Sequence, residues 1–280
     1  MTKKPIAIFA TFGVCLGVSA LPAHADAWQD IVQRKTLKCG TFADVPPFAA
    51  PDPKTREMVG FDVDMCKTLA KHLGLTAAVT PLSVEARVPE VQMGRVDVTI
   101  ANLAYTTSRA DQIQFSDSYY VAKEMLAVKA SNSASSPTEL KGKRLSSAKG
   151  STSELSITLN GSEPVTFQDT GSAYMALQQN KSVGMVANTM TITKLVNQSK
   201  TAGSELKMLS QPMLLEPVAI GMKKGESVLA EKVNAALMEM DKTGEIDAMW
   251  AKWLGLDTEF KMTREEHVQP ISAIKFTPIP

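Results

Sequence analysis

Apolar and polar positions alternate along the chain with two different periods. Short apolar runs of strand-like composition are separated by stretches whose apolar residues recur at helical spacing. Gly74 and Gly94 follow two of the helical stretches, at the position where glycine ends a helix. Strands that alternate with helices in this way indicate βαβ units on a mostly parallel sheet. The strand-like runs span residues 37–41, 77–81 and 98–101, and the helical stretches span residues 63–73 and 87–93.

A second series of the same kind follows the serine-rich stretch at residues 131–136. It predicts a second, smaller α/β lobe. Two amphipathic helices predicted at residues 227–242 and 245–254 have the apolar spacing that suits packing onto an existing lobe. The proline-containing tail beyond Leu256 shows no clear period, and we expect it to wrap the surface. The second series comprises strand-like runs at residues 145–147 and 183–187, and helical stretches that begin at residues 154 and 174.

The first 25 residues have the pattern of a cleavable secretory signal peptide. Lys3 and Lys4 precede an apolar run at residues 6–21, and a small-x-small sequence at residues 23–25 closes it. A lipoprotein anchor at Cys15 is the weaker alternative, because bulky residues precede that cysteine. A retained membrane helix is disfavoured because the run is short for a bilayer span. We therefore expect a soluble protein exported to the periplasm.

Cleavage at this position leaves a chain of nearly balanced charge. Loss of Lys3 and Lys4 lowers the number of Lys and Arg from 30 to 28, against 29 Asp and Glu. This balance gives no reason to expect a nucleic-acid partner. The sequence also lacks a phosphate-binding loop and the Gly-x-Gly-x-x-Gly, Gly-x-Ser-x-Gly and His-Glu-x-x-His motifs. We therefore expect no cofactor, no catalytic triad and no metal site.

Cys39 and Cys66 are the cysteines that remain after cleavage. Cys39 lies in a strand-like run, and Cys66 lies on the apolar face of the first predicted helix. An oxidising compartment permits a disulfide between them. The favoured interpretation is nevertheless two separate buried thiols that act as small apolar side chains. We expect neither thiol to be catalytic.

The stretch at residues 101–120 combines groups that suit the binding of a small carboxylate. Arg109 supplies a planar guanidinium that matches two carboxylate oxygens. Asn102 supplies an amide, and the hydroxyl-bearing residues 106–108 supply hydroxyls and a helix N-cap. Neither a nucleophile nor a metal-binding set accompanies them. We interpret this stretch as part of a carboxylate-binding site.

Several further motifs are spread over nearly the whole mature chain. They are Pro47-Phe48, Val59-Gly60-Phe61-Asp62-Val63-Asp64, Gly94-Arg95-Val96-Asp97, Thr106-Thr107-Ser108-Arg109-Ala110, Phe115-Ser116-Asp117, Tyr119-Tyr120, Leu140-Lys141-Gly142-Lys143, Gly150-Ser151-Thr152-Ser153-Glu154, and Gly244-Glu245-Ile246 with Trp250 and Trp253. Together they resemble the family 3 extracellular solute-binding proteins, which feed polar amino acids to ABC importers. The last half of the chain is most similar to the glutamate/aspartate-binding branch.

The resemblance implies an α/β fold of the type II periplasmic binding-protein class. This fold is a two-lobed clamp, or clamshell, in which the chain crosses twice between the lobes. Lobe 1 is then discontinuous and comprises residues 26–122 and 218–280, and lobe 2 comprises residues 123–217. Closure of the clamp is expected to bury the ligand between the lobes.

The resemblance also implies which residues bind the ligand. Arg109, together with groups shortly before it that include Asn102 and Ala104, is expected to bind an α-carboxylate. The helix N-terminus at Ser151 and Thr152 is expected to bind the same group. Physical chemistry supports this last assignment independently, because free N–H groups and the helix dipole favour an anion there.

Two positions depart from the family pattern. Ala104 stands five residues before Arg109, where relatives usually have a serine or threonine that helps to hold the carboxylate. Asn188 stands where relatives have the acid that pairs with the ligand's ammonium. An amide accepts a hydrogen bond from an ammonium but supplies no countercharge. We therefore expect weaker binding of a zwitterion, and a preference for keto or hydroxy acids would follow from Asn188.

The predicted pocket for the rest of the ligand is apolar. It contains Phe42, Val45 and Val84, at positions where relatives often have a stacking ring or a charge. Such a pocket does not accept a second carboxylate or a guanidinium without a partner. We therefore expect a ligand with an apolar or uncharged tail. Arg87 and Asp44 reverse this expectation if their side chains point into the cleft.

The function expected from these features is that of a periplasmic substrate-binding protein of an ABC transporter. It would be a monomer that captures an amino acid or a related small carboxylate and delivers it to a membrane permease. One alternative is an exported cyclohexadienyl or prephenate-type dehydratase on the same scaffold. That chemistry needs a positioned acid or base, and Ala104, Ser151 and Asn188 transfer protons poorly, so we expect no enzyme. Another alternative is a protein that presents its ligand to a chemoreceptor.

Overall fold

The computed structural model describes residues 1–2, 27–201, 203–276 and 279. The predicted signal peptide lies outside the described residues, apart from its first two. None of the described helices is long and apolar enough to cross a bilayer. The helices are α1 (Ala27–Arg34), α2 (Phe61–His72), α3 (Arg87–Gln92), α4 (Thr107–Gln112), α5 (Thr152–Leu159), α6 (Thr170–Gln178), α7 (Thr189–Thr201), α8 (Ser227–Lys242) and α9 (Glu245–Trp253), with 3-10 turns at Pro137–Leu140 and Ile271–Ala273.

The strands of the described residues build one large mixed sheet and one small hairpin. They are β1 (Thr36–Phe42), β2 (Ala50–Pro51), β3 (Met58–Val59), β4 (Thr76–Leu82), β5 (Val98–Thr99), β6 (Ile113–Lys129), β7 (Arg144–Ala148), β8 (Glu163–Phe167), β9 (Gly184–Asn188), β10 (Leu206–Met208) and β11 (Leu214–Lys223). The large sheet has the order β4-β1-β5-β11-β6-β9-β7-β8, with β10 paired to β6, and β2 pairs with β3. Strands at both ends of this order run parallel, as predicted. The central strands β11 and β6 run antiparallel to each other and to their neighbours.

Helices α2 and α3 begin and end close to the predicted positions. They span Phe61–His72 and Arg87–Gln92, against predicted stretches at residues 63–73 and 87–93. The apolar face of α2 packs on the sheet, and its residue Leu69 is fully buried. Periodicity was therefore sufficient to place these two helices.

Two long central strands connect the two halves of the sheet. β6 has 17 residues and β11 has 10. Tyr119 and Tyr120 on β6 lie in the largest apolar core, together with residues of α2, α8 and α9. From Met125 onwards, β6 contributes to two smaller cores beneath α5, α6 and α7. We call the part built on β1, β4 and β5 the first half and the part built on β7, β8 and β9 the second half; the lobe boundaries in residue numbers stay a prediction.

Cys39 and Cys66 form a disulfide, with their Cα atoms 6.2 Å apart. The favoured interpretation of two separate thiols was therefore wrong. Helix α2 packs across β1, so both sulfurs point into the same buried layer, and neither cysteine has exposed surface. The sequence placed both cysteines on inward faces, but it held no information on how the helix is positioned along the strand.

The chain after α9 runs over the first half, and its regular structure is limited to a short 3-10 turn in the described residues. Arg264 forms an ion pair with Asp241 on α8, and the guanidinium-bearing side chain is only 3% exposed. The carbonyl of Ile279 accepts hydrogen bonds from the backbone N–H and the hydroxyl of Thr107, at 2.9 and 3.1 Å. The tail therefore holds the start of α4, the helix that carries Arg109.

Removal of the disulfide is expected to lower the melting temperature by about 10 °C. The bridge joins residues separated by 27 positions, and the loop-closure model assigns about 3.5 kcal/mol to a loop of this size. Thermal unfolding of a Cys39→Ala/Cys66→Ala double variant, followed by circular dichroism, measures the effect. Reduced wild-type protein is the control and should show the same decrease. Equal melting temperatures for the oxidised wild type and the variant would contradict a stabilising role.

Candidate ligand-binding site

A cavity lies between the two halves, beside the central strands β6 and β11. Its volume is about 40 Å³, enough to hold water molecules. The first half contributes Phe42, Val45, Val84, Arg87 and Asn102, the central strands contribute Glu124 and Glu216, and the second half contributes residues that include Ala148, Ser151, Thr152, Ser153, Asn188 and Thr191.

Arg87 brings a positive charge into the cavity wall. It is the first residue of α3, and its Nε and Nη1 donate to the carbonyls of Val84 and Ala101, at 2.8 and 2.9 Å. Its guanidinium carbon lies 5.0 Å from the centre of the Phe42 ring, a cation–π distance. Burial and the neighbouring charge of Arg109 lower the pKa of Arg87 to about 9. The side chain therefore stays charged at neutral pH.

The position of Arg87 changes the expectation for the ligand's tail. Phe42, Val45 and Val84 line the cavity as predicted, but Arg87 lines it as well. Asp44 is exposed and does not line it. Of the two side chains that could reverse the expectation of an apolar tail, Arg87 lines the cavity and Asp44 does not. The apolar patch therefore has a cation at its edge.

The second half presents the N-terminus of α5 to the same cavity. Ser151 caps the helix, since its hydroxyl accepts a hydrogen bond from the N–H of Glu154 at 3.3 Å and donates one to the carbonyl of Ala148 at 2.6 Å. The first N–H groups of a helix have no partner within the helix, and Thr152 and Ser153, which open α5, line the cavity. These N–H groups and the helix dipole favour a bound anion.

Glu124 and Glu216 add two carboxyl groups to the wall. They project from β6 and β11 with 3% and 1% of their surface exposed, and their carboxyl groups lie within hydrogen-bonding reach of each other. Ser153 donates its hydroxyl to Glu124, and Thr152 donates to Glu216 at 3.0 Å. Burial, and then the neighbouring Glu216, raise the pKa of Glu124 well above its ordinary value. Burial also raises the pKa of Glu216, although the hydrogen bond from Thr152 and the charge of Arg109 act to lower it. Two buried carboxyl groups this close to each other favour holding one proton between them.

Asn188 ends β9 directly opposite Glu124 in the strand pairing. Its side-chain oxygen accepts a hydrogen bond from the N–H of Thr191 at 3.0 Å. The amide oxygen therefore satisfies a backbone N–H in the first turn of α7. The hydroxyl oxygen of Thr191 is buried without a hydrogen-bond partner among the described residues. The position that usually provides an acid is thus neutral here and already engaged.

The structure brings most of the predicted ligand-binding residues together around one cavity. Ala104 and Arg109 do not line it. Arg109 donates from Nη1 to the carbonyl of Ala104 at 2.8 Å and from Nη2 to the carbonyl of Gly150 at 3.0 Å. Their contact with a ligand stays a prediction. The predicted residues that line the cavity are Phe42, Val45, Val84, Asn102, Ser151, Thr152 and Asn188.

Glu124 and Glu216 were not predicted from the sequence. Both lie on the segments predicted to cross between the lobes, near residues 119–125 and 215–220. Glu124 follows Lys123 and directly precedes the apolar stretch at residues 125–128, and Glu216 lies between apolar residues and Pro217. A carboxylate in an apolar crossing segment was the available signal, because lone acids are rarely buried without a partner.

Contacts between the two halves close the mouth of the cavity. Glu85 of the first half pairs with Lys149 of the second half at 3.1 Å and accepts a hydrogen bond from Gln168 at 3.4 Å. The bond from Arg109 to the carbonyl of Gly150 spans the same gap. A Cβ added at Gly150 would lie 3.0 Å from the Cα and Cβ of Glu85. Because these contacts join the two halves across the cavity, the structure is a closed form.

The sequence matches the model of the bacterial extracellular solute-binding proteins, family 3, over residues 37–256. This chain belongs to that family. The matched range runs from β1 to the end of α9, so it includes every element that contributes a residue to the cavity.

This family 3 solute-binding protein is similar to several amino-acid-binding proteins. It is 27% identical over 247 residues to the glutamine-binding protein of an ABC transporter from Bacillus subtilis, which covers 86% of this chain and 89% of the relative. An ancestral arginine-binding protein bound to arginine has a TM-score of 0.72 at 35% identity and covers 79% of this chain and 99% of its own. An ancestral amino acid-binding protein, a precursor of cyclohexadienyl dehydratase, has a TM-score of 0.71 at 27% identity and covers 82% of this chain and 100% of its own. The glutamate/aspartate branch stays a prediction.

A methyl group at Gly150 is expected to hold the mouth of this solute-binding protein apart. Gly150 has a φ of 73°, and an added Cβ approaches Glu85 to 3.0 Å, so Gly150→Ala should cost the closed form about 1–3 kcal/mol. We expect the affinity for the solute to fall about tenfold. Isothermal titration calorimetry, with the solute that raises the melting temperature most, measures this.

Gly142→Ala is the matched control for that variant. Gly142 has a φ of 70°, and an added Cβ there meets no atom within 4 Å. Both variants therefore place alanine in a left-handed conformation, but only the one at Gly150 obstructs closure. Equal losses of affinity in the two variants would show that backbone strain, rather than closure, is responsible.

Proposed function

We propose that this protein is the periplasmic solute-binding component of an ABC transporter and that it captures an amino acid between its two halves. The distribution of charge in the cavity carries this proposal. The wall contains groups of both signs, a guanidinium and a helix N-terminus together with two carboxyl groups. A zwitterion presents a carboxylate and an ammonium, which fit these two environments together. The amino-acid-binding relatives support the same class of substrate.

The carboxylate of the ligand is assigned to the cationic and N–H groups of the wall. Arg87 and the first residues of α5 line the cavity, and Arg109 contributes from its edge, where it already contacts Gly150 across the closed mouth. A charge-assisted hydrogen bond contributes about 1.5–3 kcal/mol. Three such bonds approach the roughly 8 kcal/mol of a micromolar complex.

A membrane permease is the partner that this proposal requires. The family description is that of extracellular proteins, and residues 1–25 have the pattern of a cleavable signal peptide. The protein then binds its ligand outside the cytoplasmic membrane and delivers it, as a monomer, to the permease.

An exported dehydratase acting on prephenate-like acids is the second candidate. The sequence disfavours a dehydratase because the predicted cleft residues Ala104, Ser151 and Asn188 transfer protons poorly. The structure places Glu124 and Glu216 in the cleft, and a buried carboxyl group with a raised pKa is suited to general acid catalysis. The similar ancestral protein that preceded cyclohexadienyl dehydratase is itself an amino acid-binding protein, which favours binding over catalysis.

Free amino acids are expected to raise the melting temperature of the protein. A ligand at a hundred times its Kd stabilises by about 2.7 kcal/mol, which corresponds to roughly 5–10 °C for a chain of this size. A thermal-shift screen over amino acids and their decarboxylated and deaminated derivatives measures the effect. We expect both sets of derivatives to give little shift, because each lacks one of the two charges.

Two outcomes of this screen would contradict the proposal. Equal shifts with keto or hydroxy acids would show that the ammonium is not recognised. Formation of an aromatic product from a prephenate-like cyclic acid, followed by its absorbance, would establish the dehydratase instead.

Arg109→Gln is expected to lower the affinity for the stabilising amino acid by about ten- to a hundredfold. The variant removes one charge-assisted interaction of about 1.5–3 kcal/mol. It also loosens the contact with Gly150 across the mouth. Isothermal titration calorimetry measures the affinity, and Arg95→Gln is the control, since the side chain of Arg95 is 62% exposed and pairs with Glu90. Unchanged affinity in Arg109→Gln would remove Arg109 from the site.

A further inference from the structure

We propose that Glu124 and Glu216 together form the subsite for the ligand's ammonium group, and that capture of the ammonium releases the proton which the two carboxyl groups share. This inference rests on the proposed function and narrows its substrate class. The ligand must carry a protonated amine, and not only a carboxylate.

The countercharge for an ammonium has to come from outside β9. Asn188 is neutral, and its side-chain oxygen is already bonded to the N–H of Thr191. Glu124 stands beside it, directly opposite in the pairing of β6 with β9. A negative charge is therefore available one strand away from the position where the family pattern has its acid.

Unsatisfied oxygens in the cavity point to a missing donor. Oε2 of Glu216 is buried, and the described residues give it no hydrogen-bond donor besides the proton shared with Glu124; the hydroxyl oxygen of Thr191 is buried without a hydrogen-bond partner among them. Both residues line the cavity, and they are only 1% and 6% exposed. An ammonium has three N–H donors, which match these two oxygens and the carboxyl group of Glu124.

Neighbouring charges do not neutralise the pair directly. Arg87 on α3 and Arg109 on α4 act on it electrostatically, but their hydrogen bonds within the described part of the chain go to backbone carbonyls. Tyr120 on β6 also faces the pair, and burial raises its pKa well above the ordinary value, so it stays neutral. Thr152 and Ser153 on α5 face it with hydroxyl groups that do not titrate near neutral pH. The proton in question therefore belongs to the pair itself.

The exchange on binding balances in charge and in protons. In the free protein, one proton lies between the two carboxyl groups, which together carry a single negative charge. On binding, the O–H···O contact is replaced by N–H···O bonds from the ammonium to both carboxylates, and the proton passes to the solvent. No oxidant, reductant or other reactant is needed. Both carboxylates then face a cation, which stabilises their ionised form.

The sign of the pH dependence follows from this exchange. The free protein holds a proton that the complex has lost, so the raised pKa of the pair falls on binding. Affinity for the amino acid should therefore increase with pH, from the ordinary range of a glutamate upward until the raised pKa of the free pair is passed. The increase should approach tenfold per pH unit, because about one proton is released.

Calorimetry in buffers of different ionisation enthalpy measures the released proton. The amino acid that shifts the melting temperature most is titrated into full-length mature protein, in phosphate and in Tris, at each of several pH values. The dependence of the observed enthalpy on the buffer ionisation enthalpy gives the number of protons. We expect about one proton released per ligand below the raised pKa of the pair.

Glu124→Gln tests the role of the pair. Glutamine at this position keeps a hydrogen-bonding partner for Glu216 but removes the shared proton, so proton release should fall to near zero and the affinity should lose its pH dependence. Glu216→Gln should behave in the same way. Glu239→Gln is the control, because the side chain of Glu239 is 52% exposed on α8, and it should match the wild type.

The possible results separate this inference from the proposed function. Tight binding of an amino acid without proton release overturns the inference and leaves the proposed function in place. Undiminished proton release in both Glu124→Gln and Glu216→Gln also overturns it. Binding of keto or hydroxy acids with no binding of amino acids overturns the proposed function, and the inference with it.

Discussion

The antiparallel pairing of β6 with β11 is the constraint on which the rest of the molecule depends. Both strands pass from the first half to the second, so the same ladder of hydrogen bonds joins the two bodies and sets how they face each other. The ladder is irregular near Val218, where its register shifts, and such irregularities bend and twist a strand. Glu124 and Glu216 project from this pair. The mechanical connection and the acidic part of the cavity are therefore one structural unit.

Closure decides how strongly the buried charges act. With the mouth closed by the contacts of Glu85 and Gly150, the cavity is partly shielded from water, and electrostatic interactions inside it are stronger than at the surface. The same burial makes unpaired charges costly. Arg87 and Arg109 meet this cost with backbone carbonyls as acceptors, whereas the two glutamates meet it with hydroxyl donors and a shared proton. A zwitterion of matching shape relieves the remaining mismatch.

Local patterns were sufficient for the α/β class of fold, and the resemblance to the family supplied most of the cavity wall. The helices α2 and α3 follow from short-range rules of spacing and capping. The orientation of Glu124, by contrast, depends on the register of β6 against its neighbours, and a shift of one residue turns a side chain to the opposite face of a sheet. The disulfide of Cys39 depends in the same way on how α2 lies along β1. Contacts between elements distant in sequence were thus the part that the sequence did not reveal.

The hydrogen bonds between Ile279 and Thr107 have a consequence for the timing of synthesis. They join positions 172 residues apart, and they hold the first turn of the helix that carries Arg109. A growing chain cannot form these contacts at the start of α4 until it has been extended at least as far as residue 279. Correct placement of Arg109 therefore has to wait until nearly the whole chain has been synthesised.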